Sequence, residues 1–294
     1  MKKENAFDWD IKKQPIYDIN GNVISGYNEI KRDDNDKHIV IRPDSFHPMT
    51  TQQFSETAYE VADKIGGTIK EFKDWDTTNK KKNIGQAKPV ITCQMEISEP
   101  LEIAGSKIEG MLTLGVGFAG NRSFFIGHTN NYLRCSNQFA SIIKDFTSRL
   151  TKNNMVRVKD IIENIEVYRE YERKLYLDFK NFKKSKVDEN MIQECVARLV
   201  GLSEEEKAVP LKYRKDEINT HKLNRMDDII ASIRGEINDL GSNAWGLFNG
   251  VTHFSTHVMN SKSSSELSTM FGAKNDINQK AYNFCREVMF EPAK

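Results

Sequence analysis

The sequence predicts an α+β protein, with an antiparallel β-sheet and packed helices in the N-terminal half (1–150) and a helical C-terminal half (151–294), as one domain or two closely packed ones. Three observations predict this. Asn20-Gly21 lies between alternating apolar runs, a strong hairpin signal. Phe54, Ala58, Val61 and Ile65 repeat at three-to-four spacing and are followed by Gly66-Gly67, the pattern of a helix and its stop. From about Met155 onward the apolar period becomes helical and stays so.

The elements follow in order. Residues 16–17 and 23–30 flank the turn DINGN at 18–22, and a second turn, KRDDNDK at 31–37, leads to a third strand, HIVIR at 38–42. Pro43 and Pro48 end that strand. Residues 50–65 read as a helix that Thr50 or Thr51 can cap. Residues 68–75 read as a strand, 76–88 (DTTNKKKNIGQAK) as a polar basic loop, 89–98 and 107–115 as strands, 115–122 as a glycine-rich turn and 123–127 as a short strand. Residues 137–150 read as a helix opening on Ser136-Asn137, with Asn137 as its natural N-cap. Val158, Ile161, Ile165, Tyr168, Leu175, Phe179 and Phe182 then form one apolar stripe on a single long charged helix. Residues 191–200 form a helix ended by Gly201. Helices at 215–240 and 242–260 are separated by Gly241, SKSSSE at 261–266 is a linker, and 276–289 is a final helix.

Composition bounds the function. The chain has 294 residues, 38% hydrophobic and 29% charged, enough Phe, Ile, Leu and Val to bury a core. A net charge of +1 excludes a global polycationic mode of nucleic-acid binding but not a local basic face. Cys93, Cys135, Cys195 and Cys285 are widely spaced with no CxxC pair, which points to reduced thiols rather than a disulfide framework or structural zinc. MKKENAFDWDIKK has no apolar signal core, and no run approaches the roughly 18 apolar residues of a membrane helix. A cytoplasmic protein without a membrane span is expected.

Most chemistry-bearing patterns have a plain structural reading. Gly115, Gly117 and Gly120 match GxGxxG, but a dinucleotide site needs a helix next, and SFFIG reads as a strand; a turn of small residues is expected. His253 and His257 stand at i and i+4, a spacing that suits a metal. The residues between them are Phe-Ser-Thr, so the HExxH glutamate is missing, and a third ligand would come from His128 or Cys135. Packed or partner-facing imidazoles are the expectation. Cys135 with His128 as base lacks an orienting third group. No GxSxG, Walker A or kinase set is present. No cofactor, metal or catalysis is therefore expected.

Two local basic regions stand out. Residues 64–88 hold seven lysines against three acids, with Phe72 and Trp75 interleaved. Residues 149–186 hold eleven Lys/Arg against six acids and end in KNFKKSK, which sets Lys180, Lys183, Lys184 and Lys186 beside Phe179 and Phe182. Cations that neutralise phosphates beside aromatics that stack on bases are what single-strand binding requires. Arg122, Asn130, Asn131, Arg134 and Asn137 add polar groups in the central turn. A solvated helix face and a lysine-rich loop remain the plain reading.

GFAGNRSFFIGHTNNYLRCSNQFASIIKD resembles the central motif of the uncharacterised phage/plasmid-like family, domain of unknown function 932. There a glycine-containing turn leads to a strand ending in an Arg-x-x-Cys-x-Asn-type element, here Arg134-Cys135-Ser136-Asn137, and then a helix. NAWGLFNGVTHFSTH resembles that family's C-terminal helix, with a Trp-Gly-Leu-x-Asn core and a later histidine, here His257. GYNEI and IRPDSFHPMT are looser matches. The resemblance implies a role in mobile DNA, and the hairpin, further strands and helix are similar to the core of Rad52/Red-beta-type single-strand annealing proteins. The expectation is a non-enzymatic, homo-oligomeric protein that binds or anneals single-stranded DNA. Lys80, Lys81, Lys82, Lys88, Arg122, Arg134, Lys183 and Lys184 would hold the backbone, and Phe72, Trp75 and Tyr132 would stack. The rival expectation is a phage effector that binds a host protein, through an exposed face around Trp245.

Overall fold

The structure, a computed structural model, describes residues 4–75, 89–97, 101–103, 106–119, 124–132, 138–148, 155–208, 217–259 and 272–290. The chain forms two units. One comprises Met1–Ser98, Gly110–His128 and Ile142–Arg169; the other comprises Glu99–Glu109, Thr129–Ser141 and Glu170–Lys294. Each is thus built from several stretches of chain rather than from one side of a cut at residue 150. The α+β class is as expected, with antiparallel strands in the N-terminal part and helices in the C-terminal part.

In the first unit the hairpin signal is realised as β1 (Ile11–Tyr17) and β2 (Val23–Arg32), with β3 (His38–Pro43) beside β2 in a three-stranded sheet. Asp18 organises the turn: its Oδ1 accepts from the backbone N–H of Asn20 and of Asn22, both at 2.8 Å, and Gly21 takes the left-handed φ of 83°. The register jumps from Pro15↔Asn28 to Tyr17↔Val23, so Ile16 faces residues 24–27, a bulge in which Gly26 has φ 82°. On edge strand β1, Lys12, Lys13 and Pro15 discourage pairing with a further strand. The far end of the hairpin is uncovered: Tyr17, Ile19, Val23, Ile24 and Tyr27 are exposed, as is Ile41 of β3.

The expected first helix is α1 (Thr51–Ile65). Thr50 and Gln53 form a reciprocal capping box, with bonds of 3.0 and 2.9 Å, and Gly66 closes the other end at φ 64°. Replacing Thr50 by Ala is expected to lower unfolding stability by about 1 kcal/mol, read as a shifted urea midpoint at constant slope. Phe54, Ala58, Val61 and Ile65 are buried, as their spacing predicts.

Their core partners come from the second sheet, ordered β4 (Thr68–Trp75), β5 (Val90–Glu96), β7 (Ser106–Gly117), β8 (Phe124–Tyr132), β9 (Gln138–Ser148), with β6 (Leu101–Ile103) paired to β7. Gly115 and Gly117 lie within β7 rather than in a turn, and strand β8 follows, which removes the dinucleotide reading. A Cβ at Gly115 would stand 2.2 Å from Cζ of Phe125, so this glycine is needed for close approach.

Two expectations are corrected. The helix expected at 137–150, whether read from spacing or from the family resemblance, is not formed: Gln138–Ser148 is strand β9, and Asn137 lies outside the described residues. Phe139, Ile142, Ile143 and Phe146 follow the helical spacing i, i+3, i+4, i+7, and pairing in the sheet overrides it. The single long helix is two, α2 (Met155–Glu163) and α3 (Val167–Lys184). At the break, the Asn164 side chain donates to the Asp160 carbonyl at 2.8 Å and competes with the helical ladder. The apolar stripe divides accordingly. Val158, Ile161, Ile165 and Tyr168 join the core of the first unit, and Leu175, Phe179 and Phe182 that of the second.

The second unit also contains α4 (Glu189–Val200), α5 (Glu204–Ala208), α6 (Thr220–Leu240), α7 (Ala244–His253) and α8 (Ala273–Phe290). Gly201 ends α4 in the left-handed conformation, as expected. A π turn, Phe254–Val258, continues α7. Residues 244–252 are buried all round, which makes α7 the central element of its unit. Trp245 is 1% exposed, so the argument for a host partner at an exposed Trp245 face falls.

Candidate nucleic-acid interface

The segment that carries most of the second basic region is α3. Its inward face is apolar: Leu175, Phe179 and Phe182 are buried, and the Phe179 ring lies 5.1 Å from Trp245 and 5.6 Å from Phe248. These phenylalanines hold the core together and offer nothing to a base, which corrects their expected stacking role.

The charged residues divide sharply. Between residues 171 and 187 there are six cations, Arg173, Lys174, Lys180, Lys183, Lys184 and Lys186, and two acids, Glu172 and Asp178. Both acids are buried, at 7% and 5% exposure, while all six cations are exposed. The acids are satisfied inside. Glu172 Oε1 accepts from the Tyr176 hydroxyl at 3.0 Å. Asp178 accepts from the Tyr282 hydroxyl and stands 3.4 Å from Arg286 Nε. Burial and the Asp178 carboxylate raise the Tyr282 hydroxyl far above the ordinary tyrosine range, so it remains a donor. Between residues 171 and 187 a segment that reads as partly neutralised in sequence therefore presents only positive charge to solvent, bounded by the exposed acids Glu170, Asp188 and Glu189.

None of the six cations makes an ion pair or side-chain hydrogen bond with a described residue. Elsewhere in the same unit the pattern is the reverse: Arg198 binds Glu194 and Glu287, Arg234 binds Glu189, and Lys222 binds Glu206. Arg173, Leu177, Lys180 and Lys184 follow one row at three-to-four spacing. At helical rise the row spans about 17 Å, the length of about five nucleotides of a B-form strand. Lys183 and Lys184 also complement the negative end of the helix dipole. The end of α3 is pinned: Ala244 N–H donates to the Ser185 carbonyl at 2.8 Å, and Ser242 Oγ donates to the Val187 carbonyl at 2.8 Å.

The other predicted residues fare differently. Lys183 and Lys184 stand on this face. Phe72 packs between Phe7 and Tyr59, both at 5.7 Å, so its ring belongs to the core rather than to a stacking platform. Trp75 is half-buried at the end of β4; its Nε1 donates to Thr92 Oγ1 at 2.9 Å, and Lys73 Nζ lies 5.4 Å from the ring centre. Lys80, Lys81, Lys82, Lys88, Arg122 and Arg134 lie outside the described residues. Tyr132 ends β8, and its side chain lies outside the described part. Arg173 and Lys174 were missed by sequence reasoning. Their register with Lys180 and Lys184, opposite the apolar stripe, is the signal that points to them.

The nucleophile and metal patterns also separate. His128 is buried with its Nδ1 against the Tyr168 hydroxyl, and Cys135 lies outside the described residues. Cys93, Cys195 and Cys285 are free and buried. Burial pushes the Cys93 thiol up to about 12 and raises the Cys195 and Cys285 thiols well above the ordinary cysteine range. All three are expected to resist iodoacetamide in the native state and to react on unfolding, as peptide mass mapping would read.

Comparison of the chain with protein-family models, curated proteins and solved structures returns no match.

Proposed function

We propose that this chain binds nucleic acid through the sugar–phosphate backbone, as a phage-type, mobile-element protein that holds or anneals single-stranded DNA in recombination or replication. The observation that carries this reading is the sorting of charge between residues 171 and 187, with six cations outside and both acids, Glu172 and Asp178, inside; the exposed acids Glu170 and Asp188 bound the patch at either end. Such a face gains its binding free energy from released counterions and is indifferent to base sequence. The burial of Phe179 and Phe182 favours annealing in particular. A strand held by its phosphates alone keeps its bases free to pair, and pairing itself drives the reaction without a cofactor. The family resemblance in residues 117–145 and a homo-oligomeric assembly belong to this same proposal. Mixing complementary labelled strands with the protein, without nucleotide or metal, is expected to speed pairing read by energy transfer. A rate equal to that of the strands alone would count against the proposal.

A second reading rests on a different observation. The exposed apolar residues Tyr17, Ile19, Val23, Ile24, Tyr27 and Ile41 gather on one hairpin and its neighbouring strand, and residues 14–28 carry no cation. This favours a protein partner there, as in a phage effector that acts on a host defence or replication factor. Among the described residues, no helix is long and apolar enough to cross a membrane.

A further inference from the structure

We infer that His253 and His257 form a two-imidazole clamp for a borderline divalent cation of the Zn²⁺ kind. His253 ends α7, and His257 lies in the π turn that continues it. π turns inside helices recur where a side chain is re-aimed for function. Here the turn is closed by Met259 N–H on the Phe254 carbonyl at 2.7 Å. The ring centres of the two histidines are 4.9 Å apart. An ion about 2.1 Å from one nitrogen of each ring spaces the ring centres by about 4.5–5.2 Å for right-angled to tetrahedral geometry. The rings are therefore already at chelating distance.

The second observation concerns the rear of His253. Its Nδ1 is buried, makes no hydrogen bond and lies 3.5 Å from Oε1 of Glu236 on α6. A small closure of that gap would let the carboxylate accept a hydrogen bond from Nδ1 and leave the Nε2 lone pair for an ion, the arrangement that orients metal-ligating histidines. The front is open: the His253 side chain is 38% exposed, and His257 is exposed. Among the described residues, no group of three or more His, Cys, Asp or Glu is placed to hold an ion. Water fills the remaining positions, and the site is an open, exchangeable one rather than a structural centre. Neutral imidazole ligands select Zn²⁺ over Mg²⁺. This inference is independent of the nucleic-acid reading.

The test is calorimetric titration of the full chain, carrying no polyhistidine tag and stripped with chelator, with ZnCl₂ and separately with MgCl₂. One Zn²⁺ per chain and no Mg²⁺ heat are expected. His253→Gln with His257→Gln should abolish the Zn²⁺ site, and Glu236→Gln should weaken it about 10–100-fold. Melting curves without metal check that the variants fold. Zinc-edge X-ray absorption of the unaltered protein, which needs no variant, should read two imidazoles with oxygen ligands. No Zn²⁺ uptake, an unchanged site in the folded double variant, or a zinc shell without imidazole would overturn the inference.

Discussion

Changing Lys180, Lys183 and Lys184 together to Glu is expected to reduce single-strand affinity by about 100-fold or more at low salt, and to flatten its salt dependence. These lysines contribute half of the six exposed cations between residues 171 and 187, five of them on α3 and Lys186 just past its end. If every cation neutralised one phosphate of a single strand, the slope of log affinity against log salt would be about −4; removing three contacts flattens it by about 2. Reversal goes further than removal, because three carboxylates then face the same phosphates. The substitutions leave the core packing intact, at the cost of the favourable dipole contacts of Lys183 and Lys184: all three positions are exposed, none pairs with a described residue, and the buried row of Leu175, Phe179 and Phe182 is untouched. Titration by anisotropy, with melting of the variant as control, reads the outcome. Full affinity in a folded variant would remove α3 from the interface. The same exchange at Lys80, Lys81 and Lys82 measures the contribution of the basic loop separately.

Placing Ala at Gly250 is expected to destabilise the protein by about 3 kcal/mol, although Gly→Ala within a helix ordinarily stabilises by up to about 1 kcal/mol. A Cβ there would stand 2.3 Å from Cα and 2.8 Å from N of Ile233, both backbone atoms of α6. A side chain can rotate away from such a contact; a helix backbone can yield only if α6 and α7 separate. One turn earlier, a Cβ at Gly246 would meet the Gly241 carbonyl oxygen at 2.6 Å, so the two glycines together let the helices touch backbone to backbone. Gly235, also on α6, supplies the contrast, since a Cβ there meets nothing within 4 Å. Gly235→Ala should raise stability by up to about 1 kcal/mol. Opposite signs in denaturant melts of these two variants would support the packing described for α7; the same sign would contradict it.

Local signals were legible where they were self-contained. The Asp18–Asn20-Gly21 turn, the Thr50/Gln53 capping box and the Gly66 and Gly201 stops each draw their geometry from residues close in sequence. β9 was not legible, because Phe139, Ile142, Ile143 and Phe146 follow a helical period, and pairing in the sheet overrides it. The break between α2 and α3 was hidden because one stripe serves two cores. The candidate interface was half visible. Counting charge found the basic segment, but a count cannot show that Glu172 and Asp178 face inward toward tyrosine hydroxyls while their basic neighbours face out. Nor could it show that Phe72, Phe179 and Phe182 are committed to packing, since an aromatic beside a lysine looks the same whether it stacks on a base or on another ring.

The measurement that tests the central claim most directly is fluorescence anisotropy of labelled single- and double-stranded DNA across a salt series, with mass photometry on the same sample. The account predicts sequence-independent binding, tighter for the single strand, that weakens steeply with salt, by an oligomer rather than a lone chain. No binding at low salt, or binding indifferent to salt, would contradict it.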